Sequence, residues 1–143
     1  MEQRVTDLTA DDAARLAEQR AVCEAYIADE GSRANYATAA GKLGLVRALL
    51  AHDVFRPDQT YQLQCLGVVL GDAFVQEMGM RWVAVEDEYG RDPAIQLPGT
   101  SVLLYPLTMI SKRVERGEAV DVFDLFNGLA AQLEDLGGPP PRR

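Results

Sequence analysis

Residues 66–126 read LGVVLGDAFVQEMGMRWVAVEDEYGRDPAIQLPGTSVLLYPLTMISKRVERGEAVDVFDLF, and the apolar period changes twice along them. Leu63, Leu66, Leu70, Phe74 and Met78 recur at the spacing of one helix face, and Gly79 supplies a left-handed stop. Arg81-Trp82-Val83-Ala84-Val85 is then rich in aromatic and β-branched residues and runs into Asp87-Glu88-Tyr89-Gly90, a strand entering a hairpin. Ala94 to Leu97 is the expected return strand. Pro98-Gly99 turns the chain into a third strand, Thr100 to Tyr105, whose consecutive Val102, Leu103 and Leu104 predict cover on both faces. Helical spacing returns at Pro106, which suits the first turn of a helix to about Arg116 with Leu107, Ile110 and Val114 inward. Asp121 can cap a last helix carrying Val122, Leu125, Phe126, Leu129 and Leu133 on one face.

Upstream of this stretch, Thr9 and Asp12 fit the T-x-x-D form of a capping box and open a helix expected to run to about Glu30, where Gly31 stops it. A second helix is expected over about Ala37 to His52 and a third from about Gln59 to Met78, after the Arg56-Pro57-Asp58 turn. The pattern therefore predicts a single α+β domain over residues 1–136, with three N-terminal helices, a three-stranded antiparallel β-meander and two C-terminal helices. Residues 137–143, Gly-Gly-Pro-Pro-Pro-Arg-Arg, cannot continue the last helix and are expected to form a disordered tail.

Composition narrows the function classes. The chain has 143 residues, 48% apolar and 25% charged, an ordinary globular balance. Fourteen Lys and Arg against 22 Asp and Glu give a net charge of −8, a field that repels phosphate backbones and anionic lipid surfaces. Neither nucleic acid nor a membrane is expected as a partner. Gly67, Gly71, Asp72 and Gln76 interrupt the longest apolar stretch, and the N-terminal residues carry acids where a secretory signal carries basic ones, so a cytoplasmic location is expected.

Residues able to carry chemistry are few. His52 is the sole histidine and falls at a helix end, where an imidazole can cap exposed carbonyls. Cys23 and Cys65 lie far apart in apolar segments and read as buried thiols, and no zinc-ligand spacing occurs, so no metal or cofactor is expected. Glu86, Asp87, Glu88 and Asp92 around Gly90 suit a solvated turn and do not match a calcium loop. Gly67 and Gly71, four residues apart within a helix, are expected to admit a close neighbour, and Trp82 is expected to anchor the core. Lys112 and Arg113 occupy a last helical turn, where the dipole favours cations, and could also form a patch for a partner or a small anion.

No catalytic constellation emerges from these residues. The leading expectation is a non-enzymatic regulatory module that binds another protein or self-associates. The alternative is a small hydrolase, or an anion- or small-molecule-binding protein, using Asp72 or Asp87 with Lys112 and Arg113.

The run LGVVLGDAF, then Trp82, the Asp87 to Gly90 turn, Tyr105-Pro106, and Ile110 to Glu118 give Leu66 to about Leu136 a further property. In that motif order the segment resembles the bacterial domain-of-unknown-function family 3806. The resemblance implies a domain without implying an activity, and residues 1–65 read as a helical extension outside it.

Overall fold

The computed structural model describes residues 2–137, which form six helices and four strands. In chain order these are β1 (Arg4–Thr6), α1 (Ala10–Glu24), α2 (Glu30–Tyr36), α3 (Ala39–Ala51), α4 (Thr60–Met78), β2 (Arg81–Asp87), β3 (Gly90–Gln96), β4 (Leu103–Leu104), α5 (Pro106–Glu115) and α6 (Val122–Asp135). The strands make one antiparallel sheet in the order β1-β2-β3-β4. The α+β class and the β2-β3-β4 meander are as expected. The expected tail falls outside the described residues from position 138 onward.

The layout differs from the expected one in four places. A fourth strand, β1, pairs with β2 in the register Arg4↔Glu86, Val5↔Val85 and Thr6↔Ala84, and an Arg4–Glu86 ion pair of 2.6 Å reinforces it. Its three residues carry too short a pattern to stand out, because the order comes from a partner strand far along the chain. The first helix ends at Glu24, and Gly31 sits in the first turn of a separate helix, α2, whose N-cap Asp29 accepts a hydrogen bond from the Ser32 N–H at 2.7 Å. Four helices therefore precede β2, not three. The return strand starts at Gly90, four residues early, and includes Pro93. The last strand shortens to two residues, because Thr100 is used in the turn: its hydroxyl donates to the Leu97 carbonyl and accepts from the Val102 N–H.

Helix α4 is the centre of the molecule, packing against α1, α3, α5 and α6. Residues 65–71 are buried without a break, as a helix surrounded on every side requires. Two glycines make that crowding possible. A Cβ on Gly67 would lie 2.4 Å from the Pro106 carbonyl oxygen and 2.5 Å from Leu107 Cα, so the backbone of α5 rests directly on α4. A Cβ on Gly71 would lie 2.5 Å from the Trp82 ring. Trp82 is half-buried rather than sealed in the core, with its ring against α4 and its indole N–H donating to Asp72 Oδ1 at 3.0 Å.

Cross-strand partners share a face of the sheet. Trp82 with Ile95 and Ala84 with Pro93 face the helices. On the other face Val83, Val85 and Ala94 form a second small cluster, with Leu103 packed on it. None of the described helices is long and apolar enough to cross a membrane.

Candidate functional site

Where α1, α4 and α5 approach the β2–β3 hairpin they leave a groove. One end is a cleft of about 300 Å3, walled by Leu16, Tyr61, Pro93 and Leu107 and floored by Ala84. A second cleft of about 390 Å3, with Tyr105, Thr108 and Lys112, continues from it, and the two share Gln64, Asp92, Pro93 and Leu107. Tyr61 and Tyr105 stand on the rim, 49% and 38% exposed.

The floor is held by a charge network centred on Asp12. Its carboxylate accepts from Arg91 Nη2 at 2.5 Å, Arg15 Nη2 at 2.8 Å and the Thr9 N–H at 2.8 Å, and the Thr9 hydroxyl accepts from the Asp12 N–H, completing the capping box. Arg91 also donates to Glu86 at 2.6 Å, and Glu86 takes Arg4 as well. The Arg91 hydrogen bonds, then the Thr9 backbone, hold the Asp12 carboxyl well below the usual carboxylate range. Glu86 is lowered for the same reason, by Arg4 first and Arg91 second. On the rim, burial and then Asp87 and Asp92 push the Tyr105 hydroxyl up, and burial, then Cys65 and Glu18, push the Tyr61 hydroxyl up.

The four candidate residues go to different places. Lys112 is exposed and lines the second cleft, and Asp87 lies near enough to Tyr105 to act on its hydroxyl. Asp87 also accepts the Tyr89 N–H at 2.8 Å, tightening the hairpin. Asp72 accepts Arg20 Nε at 2.5 Å and Arg20 Nη2 at 2.9 Å in addition to the indole. Arg113 folds back on the Met109 carbonyl of its own helix at 2.7 Å. No hydrogen bond or ion pair joins any two of the four among the described residues.

The remaining reactive side chains have structural surroundings. His52 is the C-cap residue of α3. Cys23 and Cys65 are fully buried, and burial pushes their thiols up to about 12 and about 11. Among the described residues no group of three or more His, Cys, Asp and Glu side chains is placed to hold a metal ion.

A family model for a domain of unknown function, DUF3806, matches residues 42–126, more than half of the chain. The chain belongs to this family. The DUF3806 match begins at Lys42 in α3 rather than at Leu66, so part of the expected helical extension lies inside it, and it ends at Phe126 in the first turns of α6. It contains Tyr61, Gln64, Asp92, Tyr105 and Lys112, whereas α1, with Asp12, Arg15 and Glu18, precedes it. One wall of the groove is thus built by residues outside the DUF3806 segment. No curated protein matches the chain. A crystal structure of a protein from Bacteroides thetaiotaomicron VPI-5482, at 1.50 Å resolution, is similar with a TM-score of 0.71 and 11% identity. The similarity covers 90% of this chain and 47% of that one, so this DUF3806 chain spans about half the length of its structural neighbour, with which it shares a fold.

Sequence patterning passes over most of the groove. Tyr61 belongs to no motif, and Tyr105 enters only through the Tyr105-Pro106 pair of the family resemblance, which says nothing of a groove; neither falls on an inward stripe. Arg20 stands on the inward flank of α1, where its charge calls for a partner, but nothing in the local pattern points to Asp72.

Proposed function

We propose that the chain is a protein-interaction module that acts as a single domain without catalytic machinery of its own and receives its partner in the groove rimmed by Tyr61 and Tyr105. The observation that carries this reading is the continuity of the two clefts through Gln64, Asp92, Pro93 and Leu107. A shallow trench with an aromatic residue at each part suits a stretch of polypeptide better than a compact metabolite, and exposed tyrosines supply large rigid contact area. Lys112 belongs to this surface and Asp87 to its margin. The competing hydrolase reading is weakened because Asp72 is already neutralised by Arg20 and Arg113 is turned onto its own helix. The net charge of −8 disfavours nucleic acid, and a cytoplasmic protein, or a second copy of this chain, is the expected partner.

A photo-reactive phenylalanine analogue placed at Tyr61 or Tyr105 tests the reading in living cells. Both positions are expected to give the same covalent adduct, and Tyr26, which is also 49% exposed but lies between α1 and α2, is expected not to give it. Adducts at Tyr26 alone would move the interaction surface away from the groove.

A further inference from the structure

We infer that the occupant of the groove is a cationic, extended segment of another protein, which lays arginine or lysine side chains over Tyr61 and Tyr105; this rests on the interaction reading above. The charges left uncommitted in the groove decide it. Arg15 and Arg91 are held by Asp12 and Glu86. Glu18 and Asp92 share the first cleft with Tyr61, Asp92 also shares the second with Tyr105, and neither carboxylate has a side-chain hydrogen bond or ion pair among the described residues. Tyr61 therefore shares its cleft with the unpaired Glu18, and Tyr105 shares its own with the unpaired Asp92. A guanidinium or ammonium placed over such a ring meets the negative π-face and the carboxylate together, and the overall charge of −8 favours its approach. Lys112, at the far end, bounds the basic stretch and disfavours a further cation there.

The edge of β3 argues for recognition through side chains. β4 pairs only with Ile95 and Gln96, which leaves the outer edge open from Gly90 to Ala94. Leu97 donates its N–H outward to Val102, so the alternation along the strand turns Pro93 outward as well, where it has no N–H to offer an added strand.

Fluorescence anisotropy with labelled arginine–glycine, lysine–glycine, glutamate–glycine and serine–glycine repeat peptides of equal length tests the inference on the full chain. The arginine and lysine peptides are expected to bind, and Tyr61→Ala with Tyr105→Ala is expected to weaken them about 10-fold. Glu18→Gln with Asp92→Asn is expected to do the same, and Glu134→Gln with Asp135→Asn, an equal charge change on α6, to leave binding unchanged. Thermal melts establish that each variant is folded. Equal weakening by the α6 pair would overturn the inference, because the acidic surface as a whole would then be the attractant. Tighter binding of the glutamate or serine peptide, lost on changing both tyrosines, would overturn the cationic partner and keep the groove. Failure of every peptide also overturns the cationic partner, and the interaction reading falls with it only if the Tyr61 and Tyr105 crosslinks are absent too.

Discussion

Arg20 grips Asp72 with two hydrogen bonds, of 2.5 and 2.9 Å, and the Trp82 indole takes the same carboxylate at 3.0 Å. One acid thereby ties α1, α4 and β2 together at a place only partly open to water, with 13% of the Asp72 side chain and 28% of the Arg20 side chain exposed. Asp72→Ala would strand the guanidinium and leave the indole N–H without this acceptor. The expected loss is about 1–3 kcal/mol, below that of a fully buried pair because both groups retain some solvent. A urea titration checks it. An unchanged midpoint would mean that the pair contributes nothing net.

Trp82 separates the ring from its hydrogen bond. Trp82→Phe keeps most of the packing against Gly71 and is expected to lose about 1 kcal/mol for the missing N–H donor. Trp82→Ala also removes the ring and is expected to cost about 3 kcal/mol, at the low end for a large aromatic because the residue is only half-buried. Equal midpoints for the two variants would show that ring packing contributes little.

The glycines of the helices are expected to respond with opposite signs. Gly67→Ala forces its Cβ against the α5 backbone at 2.4 Å, which cannot swing aside as a side chain can, and is expected to destabilise by about 1–3 kcal/mol. Gly44, in α3, has nothing within 4 Å of the place a Cβ would take, so Gly44→Ala is expected to stabilise by about 0.5–1 kcal/mol through helix propensity alone. Chemical denaturation of the two single variants reads both signs. A stabilising Gly67→Ala would contradict the close approach of α5.

How far such features can be read from sequence depends on the distance over which they are determined. α4 is legible because its stripe from Leu63 to Met78 and its stop at Gly79 are local, and Gly79 does adopt the left-handed conformation, with φ of 66°. α2 is hidden because Gly31, which has the character of a terminator, sits within one turn of a different signal, the Asp29 cap. β1 and the Arg20–Asp72 pair are invisible for a common reason: each is specified by a partner more than fifty residues away. The groove is the least legible part. Its rim residues are those the core does not need, and only packing places Tyr61 and Tyr105 along one trench.

Buried thiols give a chemical check on the α1–α4 packing. With burial holding Cys23 near 12 and Cys65 near 11, the thiolate fraction at neutral pH is negligible, and both sulfurs are sealed from solvent. Ellman's reagent is expected to find no reactive thiol in the native protein and both after unfolding in guanidinium chloride. Rapid labelling of the native protein would show that α1 opens from α4 on that timescale.

Acid should loosen the N-terminal clasp first. Asp12 binds its proton far less readily when folded than its ordinary value of 3.8 allows, because Arg91 and the Thr9 backbone favour the carboxylate. A depressed folded value means that the stabilisation is complete above the unfolded pKa and is lost as pH falls through and below about 4 toward the folded one. Glu86, lowered by Arg4 and Arg91, shifts in the same direction and adds to the same acid limb. Melting temperature measured as a function of pH should therefore fall steeply below about pH 4, and Asp12→Asn should lower the plateau at neutral pH while making that fall shallower. Because the Asp12 side chain is also half of the capping box on α1, Thr9→Ala provides the control: it removes about 1 kcal/mol of cap and flattens the acid limb less than Asp12→Asn does, because Arg91 and the Thr9 backbone, both retained, lower Asp12 more than the Thr9 hydroxyl does. An acid limb that is equally steep in Asp12→Asn would assign the acid sensitivity to other carboxylates and reject the Arg91–Asp12 clasp as its origin.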